Sequence, residues 1–167
     1  GNGYAITAIV GRKEIMETAQ SSFISSTFWT ERIGPSAALK TLEIMERIKS
    51  WNSITKMGQK IHKYLKTLAK KHEIKINING LPALTNFVFQ SENALEYKTL
   101  ISQEMLKKGF LAGNSIYVCT EHTDEIVDEY FDTLDPIFSL ISDCENGLNV
   151  KNLLQTPTCH KNFKRLN

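Results

Sequence analysis

The sequence predicts an α/β chain in which a three-stranded sheet carries its helices on one face, and three observations predict it. Ile74, Ile76 and Ile78 alternate with Lys75, Asn77 and Asn79, the period of two that marks a half-buried strand. Apolar residues before and after that run recur at helical spacing: Ile54, Met57, Ile61, Leu65 and Leu68 on one side, Ile126, Tyr130, Leu134, Ile137 and Ile141 on the other. The two kinds of segment then alternate along the second half of the chain, as layered α/β and α+β folds require.

Taken in order, Tyr4 to Val10 (YAITAIV) is a β-branched apolar run bounded by glycines and predicts a short buried strand. Arg12 to Ala19 predicts a helical turn or two, and the hydroxyl-rich stretch after it a loop. From Ile33 the pattern is helical for nearly forty residues, with Pro35 placed in the first turn, where its missing N–H costs nothing. Ala38, Leu42, Met45 and Ile48 form its first stripe, and a bend or break is expected at Ser50–Ser53, which are poor interior residues and good caps. After Gly80 and Pro82, Ala83 to Gln90 predicts a second strand. Asn93 with Glu96 suggests a capped helix start, and Lys107, Lys108 and Gly109 its end. Ser115 to Thr120 predicts a third strand, and Pro136 should kink or divide the helix that follows. The tail from Asn146 onward has no period and reads as irregular.

A length of 167 residues with 41% hydrophobic and 23% charged content is ordinary globular composition. The net charge of +2 argues against a nucleic-acid partner, and Lys60, Lys63, Lys66, Lys70 and Lys71 read as one solvated helix face. No apolar run approaches the roughly 20 residues needed to span a membrane. Cys119, Cys144 and Cys159 are odd in number, widely spaced and free of any CxxC pairing, which suits reduced thiols in a cytoplasmic setting.

The usual catalytic patterns are missing. His62 and His72 are expected on the exposed basic side of a helix, His122 at a helix start and His160 in the tail, with no carboxylate or cysteine at metal-ligand spacing. Cys119 reads as a small core residue. Neither GxxxxGK[ST] nor GxGxxG occurs. One stretch stands apart: Ser21, Ser22, Ser25, Ser26 and Thr27 gather five hydroxyls just before Phe28, Trp29 and a helix entrance.

Two segments resemble a known family. GNGYAITAIVGRKEIME is similar to the stretch after the cofactor lysine in class III, fold-type I pyridoxal-phosphate-dependent aminotransferases and aminomutases. SSTFWTERIGPSAALKTLEIM resembles their later stretch, where a threonine closes over the cofactor phosphate and a long helix leaves for the small domain. GFLAGNSIYVCTEHTDEIVDEYFDTL and CHKNFKRLN also look like the C-terminal part of the family, and the glutamate-1-semialdehyde 2,1-aminomutase-like branch is the nearest in pattern.

The resemblance implies the C-terminal part of a fold-type I enzyme. Residues 1–33 would end the cofactor-binding large domain, 34–72 would be the interdomain helix, 73–145 a small α/β domain and 146–167 a tail. The Schiff-base lysine is expected about three residues before Gly1, so the chain alone should be inactive. Thr27, with Ser26 beside it, is implied to bind the phosphate of pyridoxal 5'-phosphate in the neighbouring subunit of a homodimer. Partners would be small amino-group donors and acceptors, with no nucleic acid and no membrane. The family carries Ser-Gly-Asn-Pro near the place where this chain has Trp29-Thr30-Glu31-Arg32, which leaves transaminase and aminomutase activity both open. A non-catalytic α/β interaction or dimerisation module is the competing reading.

Overall fold

A computed structural model describes residues 1–24 and 27–161. Packing divides the chain into two units, Gly1–Ser50 and Trp51–Asn167. Every buried hydrophobic residue of the described chain lies in the second unit. Among the described residues no helix is long and apolar enough to cross a membrane.

The first unit holds α1 (Lys13–Met16), a 3-10 turn over Glu17–Ser21, and α2 (Ile33–Ile48). The strand expected over Tyr4–Val10 does not form. No strand among the described residues offers it a ladder, and β-propensity without a partner leaves the backbone polar groups unpaired. Its side chains stay exposed, Val10 at 86%. Ala5 instead passes across the start of α2, so close that a Cβ on the buried Gly34 would lie 2.9 Å from its carbonyl oxygen. The stripe of α2 is not buried either: Leu42 and Ile48 are exposed, and Ala38 and Met45 half-buried. The expected interruption is present, at Lys49, whose left-handed φ of 50° ends α2.

In the second unit α3 spans Ser50–Lys71 and buries Ile61, Leu65, Leu68 and Ala69 along the predicted stripe. The sheet follows: β1 (Ile76–Asn79), β2 (Leu84–Phe89) and, after α4 (Ala94–Leu106), β3 (Ser115–Tyr117). Both pairings are antiparallel in the order β1-β2-β3, with Ile76 opposite Phe89, Ile78 opposite Phe87, and Thr85 opposite Ile116. This register turns Ile76, Ile78, Thr85, Phe87, Phe89 and Ile116 to one face, where α3, α4 and α5 (Asp124–Glu145) supply the rest of the core. Phe89 packs edge-on to Tyr97 with centroids 5.4 Å apart and lies 5.7 Å from Phe138. Burying side chains of this size stabilises by about 1.5–3 kcal/mol each.

Pro136 does not divide α5. A mid-helix proline costs about 3 kcal/mol or more, and the fully buried Leu134, Phe138 and Ile141 on the same helix offset it. Gly109 ends α4 as expected, with a φ of 87°. Asn93 makes no side-chain cap; Ser91 Oγ takes the Asn93 N–H instead. His122 is not the cap of α5, because Thr123 is, its Oγ1 accepting from the Ile126 N–H at 3.4 Å. Cys119 lies beyond β3 and is exposed rather than a core residue. Within the described part of the tail, Val150–Asn152 forms a 3-10 turn, and the Cys159 N–H reaches Thr99 Oγ1 at 3.0 Å.

The basic face of α3 is more engaged than its spacing suggested. Lys63, Lys66 and Lys70 are exposed, but Lys60 pairs with Asp124 and Asp128, and the Tyr64 hydroxyl donates to Asp128 at 2.6 Å. Lys71 and His72 both hold Asp135 of α5. His72 is therefore no exposed helix residue, and His62 is half-buried with its Nε2 buried; burial and then Lys66 lower its pKa. The hairpin turn between β1 and β2 rests directly on α3, where a Cβ at Gly58 would meet the Pro82 oxygen at 1.9 Å.

Two predictions follow from this packing. Gly58→Ala should lower the unfolding free energy by about 3 kcal/mol, the upper end for overpacking, because backbone has to move. Gly113→Ala, whose new Cβ meets nothing within 4 Å, should change it by less than about 0.5 kcal/mol in the same urea titration. The second concerns acid. Hydrogen bonds from His72 and then Lys71 hold the Asp135 carboxyl below its ordinary value. A depressed carboxyl adds stability above the ordinary carboxylate range and loses it as pH falls through the lowered value. Unfolding titrations from pH 5 to pH 2 should therefore show a smaller loss of stability for Asp135→Asn than for wild type.

Candidate functional site

The hydroxyl-rich stretch separates into parts with different fates. Ser21 Oγ donates to the Thr18 carbonyl at 2.8 Å, and Ser22 Oγ to the Ala19 carbonyl at 2.9 Å, so these two hydroxyls close the 3-10 turn on itself. Ser26, with Ser25, lies outside the described residues. Thr27 is exposed and, among the described residues, its hydroxyl has no partner.

The chain then turns sharply. The Glu31 N–H donates to the Phe28 carbonyl at 2.9 Å, which closes a four-residue turn over Phe28–Glu31. Trp29 sits in that turn with a φ of 44° and is 83% exposed. A bulky side chain in the left-handed region is uncommon and costs of order 1–3 kcal/mol. Glu31 then reaches forward: its carboxylate accepts from the Ile33 N–H and, at 3.2 Å, from the Gly34 N–H. Two of the amides that α2 would leave unpaired are thus satisfied, and a negative charge faces the positive end of the helix dipole. Arg32 precedes α2 without a side-chain cap, so Glu31 is what fixes the helix start.

The candidate site thus joins Thr27, whose hydroxyl has no partner among the described residues, to a tight aromatic turn and an acid-capped helix entrance. Glu31 was missed from the sequence. The available signal was a carboxylate just ahead of Ile33-Gly34-Pro35, a spacing that lets it fold back onto the first amides of a helix.

The family profile described as Aminotransferase class-III matches residues 1–138. The chain belongs to the class-III aminotransferase family. Pyridoxal 5'-phosphate is that family's cofactor. Among its relatives is the 3-aminobutyryl-CoA aminotransferase of Cloacimonas acidaminovorans, 32% identical over 133 residues, covering 74% of this chain and 31% of the relative. The glutamate-1-semialdehyde 2,1-aminomutase of Methanocaldococcus jannaschii is 24% identical over 155 residues, 83% of this chain and 36% of that protein. The solved PLP internal aldimine form of the FumI protein from Sphingopyxis sp. MTA144 matches with a TM-score of 0.68 at 18% identity, over 86% of this chain and 35% of that one, so the two share a fold. This class-III chain spans about a third of the length of the relatives it matches.

In this class-III chain the donors fit a phosphate as far as they go. Thr27 offers an unspent O–H and its own N–H, while the amides of Ile33 and Gly34 are already taken by Glu31. Removing that cap should free them. Amide exchange of Ile33 and Gly34, followed by NMR, is expected to speed up about twofold to thirtyfold in Glu31→Ala, as loss of about 0.5–2 kcal/mol of capping implies. Unchanged exchange would show that another group holds the helix start.

Proposed function

We propose that this chain is part of a pyridoxal-phosphate-dependent enzyme that moves amino groups between small molecules, with transamination as the leading reading. The observation that carries it is Thr27, a free hydroxyl at the head of an acid-capped turn, at the position where the family resemblance expects a phosphate ligand. The 32% identity to an aminotransferase over 133 residues favours transamination. A 1,2-amino shift is the second reading, favoured by the likeness to aminomutases.

In this reading Thr27 donates its O–H and N–H to phosphate oxygens, and a phosphate calls for several short donors of this kind. Ser26 is a second proposed donor. Glu31 holds the turn that sets the direction of the Thr27 N–H. Phe28 and Trp29 screen the phosphate from water. The phosphate belongs to the neighbouring subunit of a homodimer. When bound, the cofactor supplies the electron sink for amino-group chemistry. Residues 1–33 close the cofactor-binding domain, 34–72 carry the chain away from it, and 73–145 form the small domain, with 146–167 as its tail. The resemblance puts the Schiff-base lysine outside these 167 residues, so the chain by itself is expected to be inactive.

The test uses the full-length protein and the cofactor dissociation constant. Hydrogen bonds to a charged group contribute about 1.5–3 kcal/mol. Thr27→Ala should therefore weaken cofactor binding by about tenfold to a hundredfold, and Thr27→Ser, which keeps both donors, by much less. Equal dissociation constants for wild type and both variants would move the phosphate site elsewhere. For the 167-residue chain, borohydride treatment with pyridoxal phosphate should trap no stoichiometric lysine adduct.

A further inference from the structure

Gly58, His62, Leu65 and Ala69 stand at i, i+4, i+7 and i+11 on α3 and so share one side of the helix. Gly58, where the β1–β2 hairpin rests, is buried, and so are Leu65 and Ala69. His62 is the ionisable member of this row. Its ring is half-buried, and its Nε2 is closed off from solvent without a hydrogen-bond partner among the described residues. A native structure that keeps such an atom calls for a reason.

The cost of that atom depends on the protonation state of the ring. A neutral imidazole carries one N–H and can leave its other nitrogen as a bare acceptor. A protonated ring has an N–H on both nitrogens, so a donor bearing part of a positive charge would stand at the buried position with nothing to accept it. The surroundings offer no relief. Pro82 and Ala83, the hairpin residues that meet this side of α3 at Gly58, are not ionisable. Among the described residues the charge acting on the ring is Lys66, one turn further along α3, and no carboxylate does so. Burial first, and Lys66 second, hold the pKa of His62 below its ordinary value. His72 makes the contrast, since its Nε2 meets the Asp135 carboxylate.

We propose that His62 makes the seat of the hairpin on α3 an acid-sensitive switch, closed while the ring is neutral and driven open when the ring takes up a proton. The direction follows from linkage. A group that binds its proton more weakly in the closed state than in the open one adds its stability in full above the ordinary imidazole range and loses it as pH falls below that range. Asp135 acts lower, below the ordinary carboxylate range, so the two effects fall in separate windows. The switch stands on the second unit and does not rest on the reading of Thr27.

The experiment follows the histidine rings and the backbone amides of residues 80–85 by NMR from pH 8 to pH 5, and compares thermal midpoints at pH 7.5 and pH 5. The His62 ring should titrate below the ordinary value of 6.5, and the hairpin amides should shift with the same midpoint. His62→Leu and His62→Gln cannot take up the proton. Their thermal midpoints should fall on acidification by at least about 2 °C less than that of wild type; the other three histidines are common to all three chains and cancel. Should both variants fail to fold, the wild-type ring and hairpin signals still decide. A His62 ring that titrates at or above its ordinary value, hairpin amides that do not follow it, or an equal acid loss in the folded variants would each overturn the proposal.

Discussion

The carbonyl of Pro82 occupies the space that any side chain at position 58 would need, and the architecture of the second unit depends on that contact. Glycine in a helix interior costs about 0.5–1 kcal/mol relative to alanine, so its presence on α3 is a concession to close approach. The same Pro82 oxygen accepts from Thr85 Oγ1 at 3.0 Å, and Thr85 is fully buried. One backbone oxygen therefore seats the hairpin turn on the helix and orients the first inward residue of β2. Once Thr85 points inward, the period of two sends Phe87 and Phe89 the same way. These two rings then receive the stripes of α4 and α5.

The first unit is built on another principle. Phe23, Trp29 and Leu39 are exposed there, at 98%, 83% and 71%, and no hydrophobic residue of the core comes from this unit. Order in it comes from local polar closure, namely the serine hydroxyls on the 3-10 turn and Glu31 on the head of α2. Exposed apolar surface of this kind is characteristic of segments that work against other protein. The proposed function gives it that role, beside the cofactor of a neighbouring subunit.

The contrast explains what could be read in the sequence. The alternation of isoleucines at 74, 76 and 78 and the Gly109 stop report on neighbours a few residues away and are found, and the α5 stripe is found from Tyr130 onward, whereas Ile126, its expected first member, is exposed. The failures depend on distant partners. YAITAIV has the propensity of a strand, but propensity does not supply a ladder. His72 looked like solvent-facing helix because its partner, Asp135, lies 63 residues further on. The fate of Pro136 was decided by the packing of its helix neighbours. At the candidate site the family resemblance picked out Thr27, whereas the cap by Glu31 needed the backbone of the turn to be known.

The central claim is that Trp51 onward is a self-supporting core while Gly1–Ser50 is held by local contacts. Limited proteolysis with mass-spectrometric mapping tests it most directly. The account predicts early cuts between residues 4 and 49 and a resistant product that begins near Trp51 and retains β1, β2, α4 and α5. A first cut inside residues 58–89, with the preceding segment still intact, would contradict it.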